Sequence, residues 1–167
     1  MDFNNVLSDI FLEVKSEVEE SIDNNFRSES FFGNNWPPAV HKKVGQGLLI
    51  DKGRLRRSIS LEVGRQGIRV TSDVPYATLH NEGGVIPVTP AFKKMAWAKF
   101  KESQKNDPNG VGDVFFKNLA LTKKASITIP QRQFVGDHTK LSEEIDNIVF
   151  DNVEPFVTNL VRQTFRV

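Results

Sequence analysis

Apolar residues return at every fourth position from Val6 to Phe26, through Ile10, Val14, Val18 and Ile22. Held over that length, the spacing keeps them on one stripe that drifts slowly around an α-helix, with Leu7 and Phe11 beside it. Glu and Asp occupy the opposite face. The predicted helix over 4–27 has to bury this stripe, either on a sheet of its own chain or on a partner's surface.

The segment that follows, 28–47, is rich in Gly, Asn and Pro, and Pro37-Pro38 forbids regular helix. It reads as an irregular loop pinned by Trp36. Arg54 to Ser58 is predicted as a helical turn that Gly53 admits. Ile59, Leu61 and Val63 alternate with polar residues, and Ile68 and Val70 alternate again, which predicts a β-hairpin with the four-residue connection 64–67. "YATLHNEGG" predicts a short helix stopped at Gly83-Gly84 by a left-handed C-cap. Thr89 and Pro90 look like the cap and first residue of another helix. Residues 113–125 fit strand or helix equally, and Ile127 and Ile129 mark a strand running into Pro130. A helix from Lys140 onward places "SEE" in its first turn, with Pro155 kinking or splitting it. Strands flanked by helices predict an α+β fold, an antiparallel β-sheet with a long N-terminal helix and a C-terminal helix packed on it.

The chain has 167 residues, which fits one domain, 1–167, with a variable insertion at about 88–125. It has no Cys, which excludes disulfides, a thiol nucleophile and Cys-based zinc sites. "MDFNNVLSDIF" lacks the basic and apolar regions of a signal peptide, and no apolar run approaches a membrane span, so a soluble protein made in the cytosol is expected. Net charge is +1 but unevenly spread: −6 over 1–26, +5 over 40–57, +5 over 91–124 and −3 over 137–167. Acidic ends and a basic middle suit subunit complementarity or a basic path for nucleic acid.

Chemistry is sparse. His41, His80 and His138 stand too far apart for a helical metal pair, and no phosphate-cradling, dinucleotide or serine-elbow pattern is present. His80 with Glu82 or Asp73 is the one candidate for hydrolase chemistry, yet a spacing of two points His80 and Glu82 apart on a helix. A histidine near a helix end is more simply satisfied by free carbonyls. The basic run from Lys42 to Arg57 is the candidate nucleic-acid patch, but no aromatics interleave it.

Four segments in succession carry a resemblance: "WPP" at 36–38, "LLIDKGRLRRSI" at 48–59, "VPYATLHNEGG" at 74–84 and "IPQRQFVG" at 129–136. Their order resembles the phage virion morphogenesis (tail completion) family, which includes the phage Mu tail-completion protein, over residues 36–150. Lys52, Asn81 and Val135 stand where Thr, Gln and Leu are usual in that family. The resemblance implies a non-enzymatic structural protein of a tailed phage or prophage that acts in tail completion and head–tail joining. It implies no cofactor, no metal and no catalytic residue. The motif residues Trp36, Pro37, Gly53, Leu55, Ser58, Ile59, Tyr76, His80, Gly83, Gly84, Pro130, Arg132, Phe134 and Gly136 would then serve fold or assembly, with Phe134 buried and Arg132 pairing nearby. Lys52, Arg54, Arg56 and Arg57 would form a charged interface that meets the acidic helices of a neighbour in a homo-oligomeric ring. Tail or neck proteins would be further partners, without a membrane. Assembly in the bacterial cytoplasm would end in the virion. Direct DNA contact through residues 42–57 is the alternative.

Overall fold

The computed structural model describes residues 2–39, 47–50, 53–64, 67–106 and 111–165. Helix α1 spans Phe3–Ser28. The Asp2 carboxylate accepts from the Asn4 N–H at 3.4 Å, and Glu29, in the left-handed region at φ 51°, donates its N–H to the Asn25 carbonyl. The predicted helix is therefore present, one turn of capping included.

The stripe on α1 does not rest on one sheet. Ile22 and Phe26 join Trp36, Leu48, Leu55, Leu61, Val74, Ala77 and Phe134 in the main core. Phe26 is completely buried, edge-on to Trp36 and 5.0 Å between ring centroids from Phe134. Val6, Ile10 and Val14 form a second cluster with Ile145, Ile148, Val153 and Phe156 of the last helix. A stripe rising four residues at a time drifts around the helix, so its two ends meet different neighbours.

After α1 comes a tight hairpin where an irregular loop was expected: β1 (Ser30–Phe31) pairs with β2 (Asn34–Asn35), and Phe32 and Gly33 turn at φ 48° and 93°. Two consecutive positive φ values match the twist of a two-residue hairpin. Helix α2 is the short Arg54–Arg57, entered through Gly53 at φ 69°. Strands β3 (Ile59–Gly64) and β4 (Gly67–Ser72) pair in register from Ile59↔Ser72 to Gly64↔Gly67. Pairing of the two glycines shortens the connection from the expected four residues to two.

Helix α3 is Ala77–Glu82. Strand β5 (Gly84–Pro87) follows and pairs with β6 (Ser126–Ile129), Gly84 opposite Ile129 and Pro87 opposite Ser126. Between them lie α4 (Pro90–Asn106) and α5 (Val111–Leu121). The Thr89 hydroxyl accepts from the Phe92 N–H at 3.1 Å, as the predicted cap requires. The ambiguous apolar run is helical because α5 finds α4 to pack on, closing over buried Ala96 and Ala120. Among the described residues the three two-stranded antiparallel sheets are separate, and with the long terminal helices they make an α+β fold.

Helix α6 (Thr139–Thr164) is capped by His138, whose Nδ1 accepts from the Lys140 N–H at 3.2 Å. Starting at Thr139 moves Glu143 and Glu144 out of the first turn, contrary to the sequence reading. Nor does Pro155 split the helix. The Asp151 carbonyl, which loses its partner there, sits in an exposed stretch where water can replace the bond. Helix α6 lies along α1: Asn152 Nδ2 donates to Glu13 Oε2 at 2.9 Å, and Phe3 meets Phe156 at 5.8 Å between ring centroids.

Candidate functional site

Three of the segments that carry the resemblance, 36–38, 74–84 and 129–136, converge on one knot at the end of α1, centred on the extended stretch 130–136. Trp36 is buried, and its Nε1 donates to the Gln133 carbonyl at 2.7 Å. Arg132 returns the tie: its Nε donates to the Pro37 carbonyl at 2.9 Å and its Nη2 to the Pro38 carbonyl at 3.1 Å. Two prolines in succession supply carbonyls without competing N–H groups, and the rigid guanidinium fork is suited to such a pair. Arg132 is 8% exposed, and burial lowers its pKa. The expected nearby pairing is thus real, but with backbone carbonyls.

The "HNEGG" motif joins the same knot. The Arg132 N–H donates to the His80 carbonyl at 2.8 Å. Asn81 Oδ1 accepts from the N–H groups of Phe134 and Val135 at 2.9 and 3.0 Å. Gly83 takes φ 73° and ψ 178°, so its φ is positive but its ψ is extended, which differs from the expected left-handed cap. The chain there runs straight into β5, and a Cβ on Gly83 would stand 2.8 Å from the Gln131 amide nitrogen. From α1, Asn25 closes the ring of contacts: Nδ2 donates to the Phe134 carbonyl at 3.3 Å, and Oδ1 accepts from the Phe32 N–H at 3.0 Å. Phe134 is buried, as anticipated.

His80 lacks the satisfaction expected of it. Its Nδ1 is buried with no hydrogen-bond partner. The ring is edge-on to Tyr76 at 5.8 Å, which confirms their one-turn neighbourhood. Burial and, secondarily, the Arg132 charge lower its pKa. A neutral imidazole whose Nδ1 meets no carboxylate lacks the orienting group that a hydrolytic base uses. Glu82 and Asp73 are exposed. Among the described residues no group of His, Asp and Glu is arranged to hold a metal.

Leu55, Ser58 and Ile59 hold the second motif to the core. Leu55 is buried, and the Ser58 hydroxyl donates to the Leu55 carbonyl at 2.7 Å and lies 2.7 Å from the Ser72 hydroxyl. The proposed charged interface is partly used within the chain. The Arg56 guanidinium pairs with Asp23 of α1, which also takes Arg27 at 2.7 Å. The acidic helix and the basic turn therefore meet inside one chain at this point and do not stand at opposite edges. Arg57 folds its guanidinium over Gly53, and Arg54 is exposed. Lys42, Lys43 and Lys52, with His41, lie outside the described residues.

Three residues that sequence reasoning passed over matter here. Asn25 and Asn81 carry the knot, and the only signal was a polar residue beside an apolar stripe and one departure from a motif. His138 caps α6 and stacks on Phe32 with ring centroids 4.3 Å apart, which fixes the first hairpin to the last helix. A cavity of about 400 Å³ lies between α1, β4 and α6, with Val14, Ile68, Leu141 and Ile145 in its wall. Its lining is overwhelmingly apolar and offers packing rather than chemistry. No helix among the described residues is long and apolar enough to cross a membrane.

Comparison with known proteins supplies one match. The model of the phage virion morphogenesis family matches residues 7–154, a span that contains all four motifs and the knot. No curated protein and no solved structure matches the chain.

Proposed function

Because the chain belongs to the phage virion morphogenesis family, we propose that it completes the tail of a tailed phage or prophage and joins that tail to the head. The family assigns it to the building of the virion, a structural role. Tail completion and joining deepen that role: the protein sits at the end of the tail and presents a surface to tail or neck proteins. Several copies act together as a ring, assembled in the host cytoplasm and retained in the virion.

The observation that carries this reading is the burial of four motif side chains. Trp36, Leu55, Phe134 and Arg132 are all buried, and the Trp36 indole and Arg132 guanidinium bind backbone carbonyls rather than facing a cleft. Such residues keep a shape; they do not turn over a substrate. The uneven charge along the chain supplies the long-range attraction that aligned subunits need.

The test is genetic and visual. Deleting the coding sequence from the phage should leave heads and tails unjoined in electron micrographs and abolish plaques, with both restored when the protein is supplied in trans. Mass spectrometry of purified particles should find the protein in the virion. Joined, infectious particles without it would overturn the proposal.

A further inference from the structure

Helix α6 is the longest element beside α1, yet none of its 26 residues is buried, whereas α1 buries seven. One side of α6 rests against α1, through Ile145, Ile148, Val153 and Phe156. The other side is uncovered and mixes apolar with acidic residues. Asp146, Phe150, Glu154, Val157 and Val161 follow one another at steps of three or four residues and are all exposed. They form a single stripe in which two carboxylates are interleaved with three apolar groups. Phe150 is 64% exposed. A helix that buries nothing completely and keeps Phe and Val in water is short of a neighbour.

The same chain carries a surface of the opposite kind. Helices α4 and α5 pack chiefly on each other and stand on the β5–β6 ribbon as an arm. Residues 91–124, which contain this arm, carry a charge of +5. On α4, Lys94, Trp97 and Lys101 occupy one exposed stripe at steps of three and four. On α5, Val114, Lys117 and Leu121 do the same, with Val114 60% and Leu121 58% exposed. Both stripes interleave apolar groups with lysine, where α6 interleaves them with carboxylates.

We propose that the α4–α5 arm of one subunit docks on the outer face of α6 in a second copy of this chain. Trp97 and Leu121 cover Phe150, Val157 and Val161, and the lysines meet Asp146 and Glu154. The contact is between unlike surfaces, so each subunit gives an arm and receives one. Such a heterologous contact closes into a ring where the rotation permits. This inference rests on the self-assembly in the proposed function and names its interface. It also moves that interface from the basic turn at Arg56, which is engaged with Asp23, to the arm.

The experiment uses two surface variants of the full chain. The arm variant carries Trp97→Ser and Lys101→Glu; the face variant carries Phe150→Ser and Glu154→Lys. All four positions are exposed, and circular dichroism checks that both variants fold. Light scattering across a concentration series reads the mass. The wild type is expected to assemble, and each variant alone to self-associate about 30-fold or more weakly, the loss typical of an interfacial aromatic anchor. An equal mixture of the two variants keeps one intact arm and one intact face, so it is expected to give a two-chain complex and nothing larger. A wild type that stays monomeric at the highest concentration it tolerates would sink both this interface and ring assembly. A wild type that assembles while the arm variant assembles equally well would sink this interface alone and favour α6 against α6. Salt-dependent binding of a DNA duplex that is lost in the arm variant, without any change in mass, would assign the arm to nucleic acid and overturn the proposal.

Discussion

Replacing Arg132 by Ala tests whether the knot is what holds the motif loops together. The guanidinium donates two charge-assisted bonds, to the Pro37 and Pro38 carbonyls. Bonds from charged groups contribute about 1.5–3 kcal/mol each. Removing the buried charge recovers part of its desolvation cost, and the exposed prolines let water reach the freed carbonyls. The expected loss is therefore nearer the lower end of the sum, about 3 kcal/mol. With a urea slope of about 2 kcal/mol per molar, the unfolding midpoint falls by about 1.5 M. Arg132→Lys keeps the charge but cannot reproduce the fork, so it should fall between wild type and Ala. Trp36→Phe removes the reciprocal bond to the Gln133 carbonyl. Because both ties fasten the same two segments, the double variant should lose less than the sum of the singles. Equilibrium urea unfolding followed by tryptophan fluorescence and circular dichroism measures the wild type and all four variants. A midpoint shift under about 0.5 M for Arg132→Ala, or strict additivity with Trp36→Phe, would refute the knot as a cooperative unit.

Three further changes probe the same region. Asn81→Ala should cost about 2–4 kcal/mol by stranding two backbone N–H groups, whereas Asn81→Asp, which keeps an acceptor, should cost clearly less; equal losses in thermal unfolding would contradict the bonding. Gly83→Ala should lose about 3 kcal/mol or fail to fold, because its backbone region belongs to glycine and the Gln131 amide fills the Cβ position; a stable, soluble variant with unchanged melting would refute this. His80 has a lowered folded pKa, so the unfolded chain binds more protons and the stability His80 adds is complete above about pH 6.5 and lost as pH falls through the folded value. In His80→Gln the fall in melting temperature between pH 7.5 and pH 5, both set by the assay, should be shallower than in wild type; an identical slope would show that His80 is not the group responsible.

Local features explain what could be read from the sequence. The four-residue recurrence from Val6 to Phe26 demanded α1, and alternation around Ile59 and Val70 demanded the β3–β4 hairpin, because both periods are set by backbone geometry alone. The β1–β2 hairpin escaped because its strands are two residues long and its turn puts Phe32, not Gly or Asn, at positive φ. Helix α5 was undecidable until α4 was there to receive it. The knot itself was half legible. Phe134 and Trp36 announced burial by type, but the partner of Arg132 could not be inferred, since backbone carbonyls carry no signature in the sequence. Asn25 was hidden for the opposite reason. It lies beside an apolar stripe, where a polar residue looks like a solvated flank, and its bonds span 109 positions to Phe134.

That distribution separates what identifies the chain from what it touches. The buried motif residues Trp36, Arg132 and Phe134 lie in the knot and Leu55 in the core beside it, so they specify a scaffold. The arm, 88–125, lies between the third and fourth motifs and exposes Lys94, Trp97, Lys101, Val114, Lys117 and Leu121. Scaffold residues are tied by bonds that tolerate little change, while an arm standing on a two-stranded ribbon can be altered without disturbing the core beneath it.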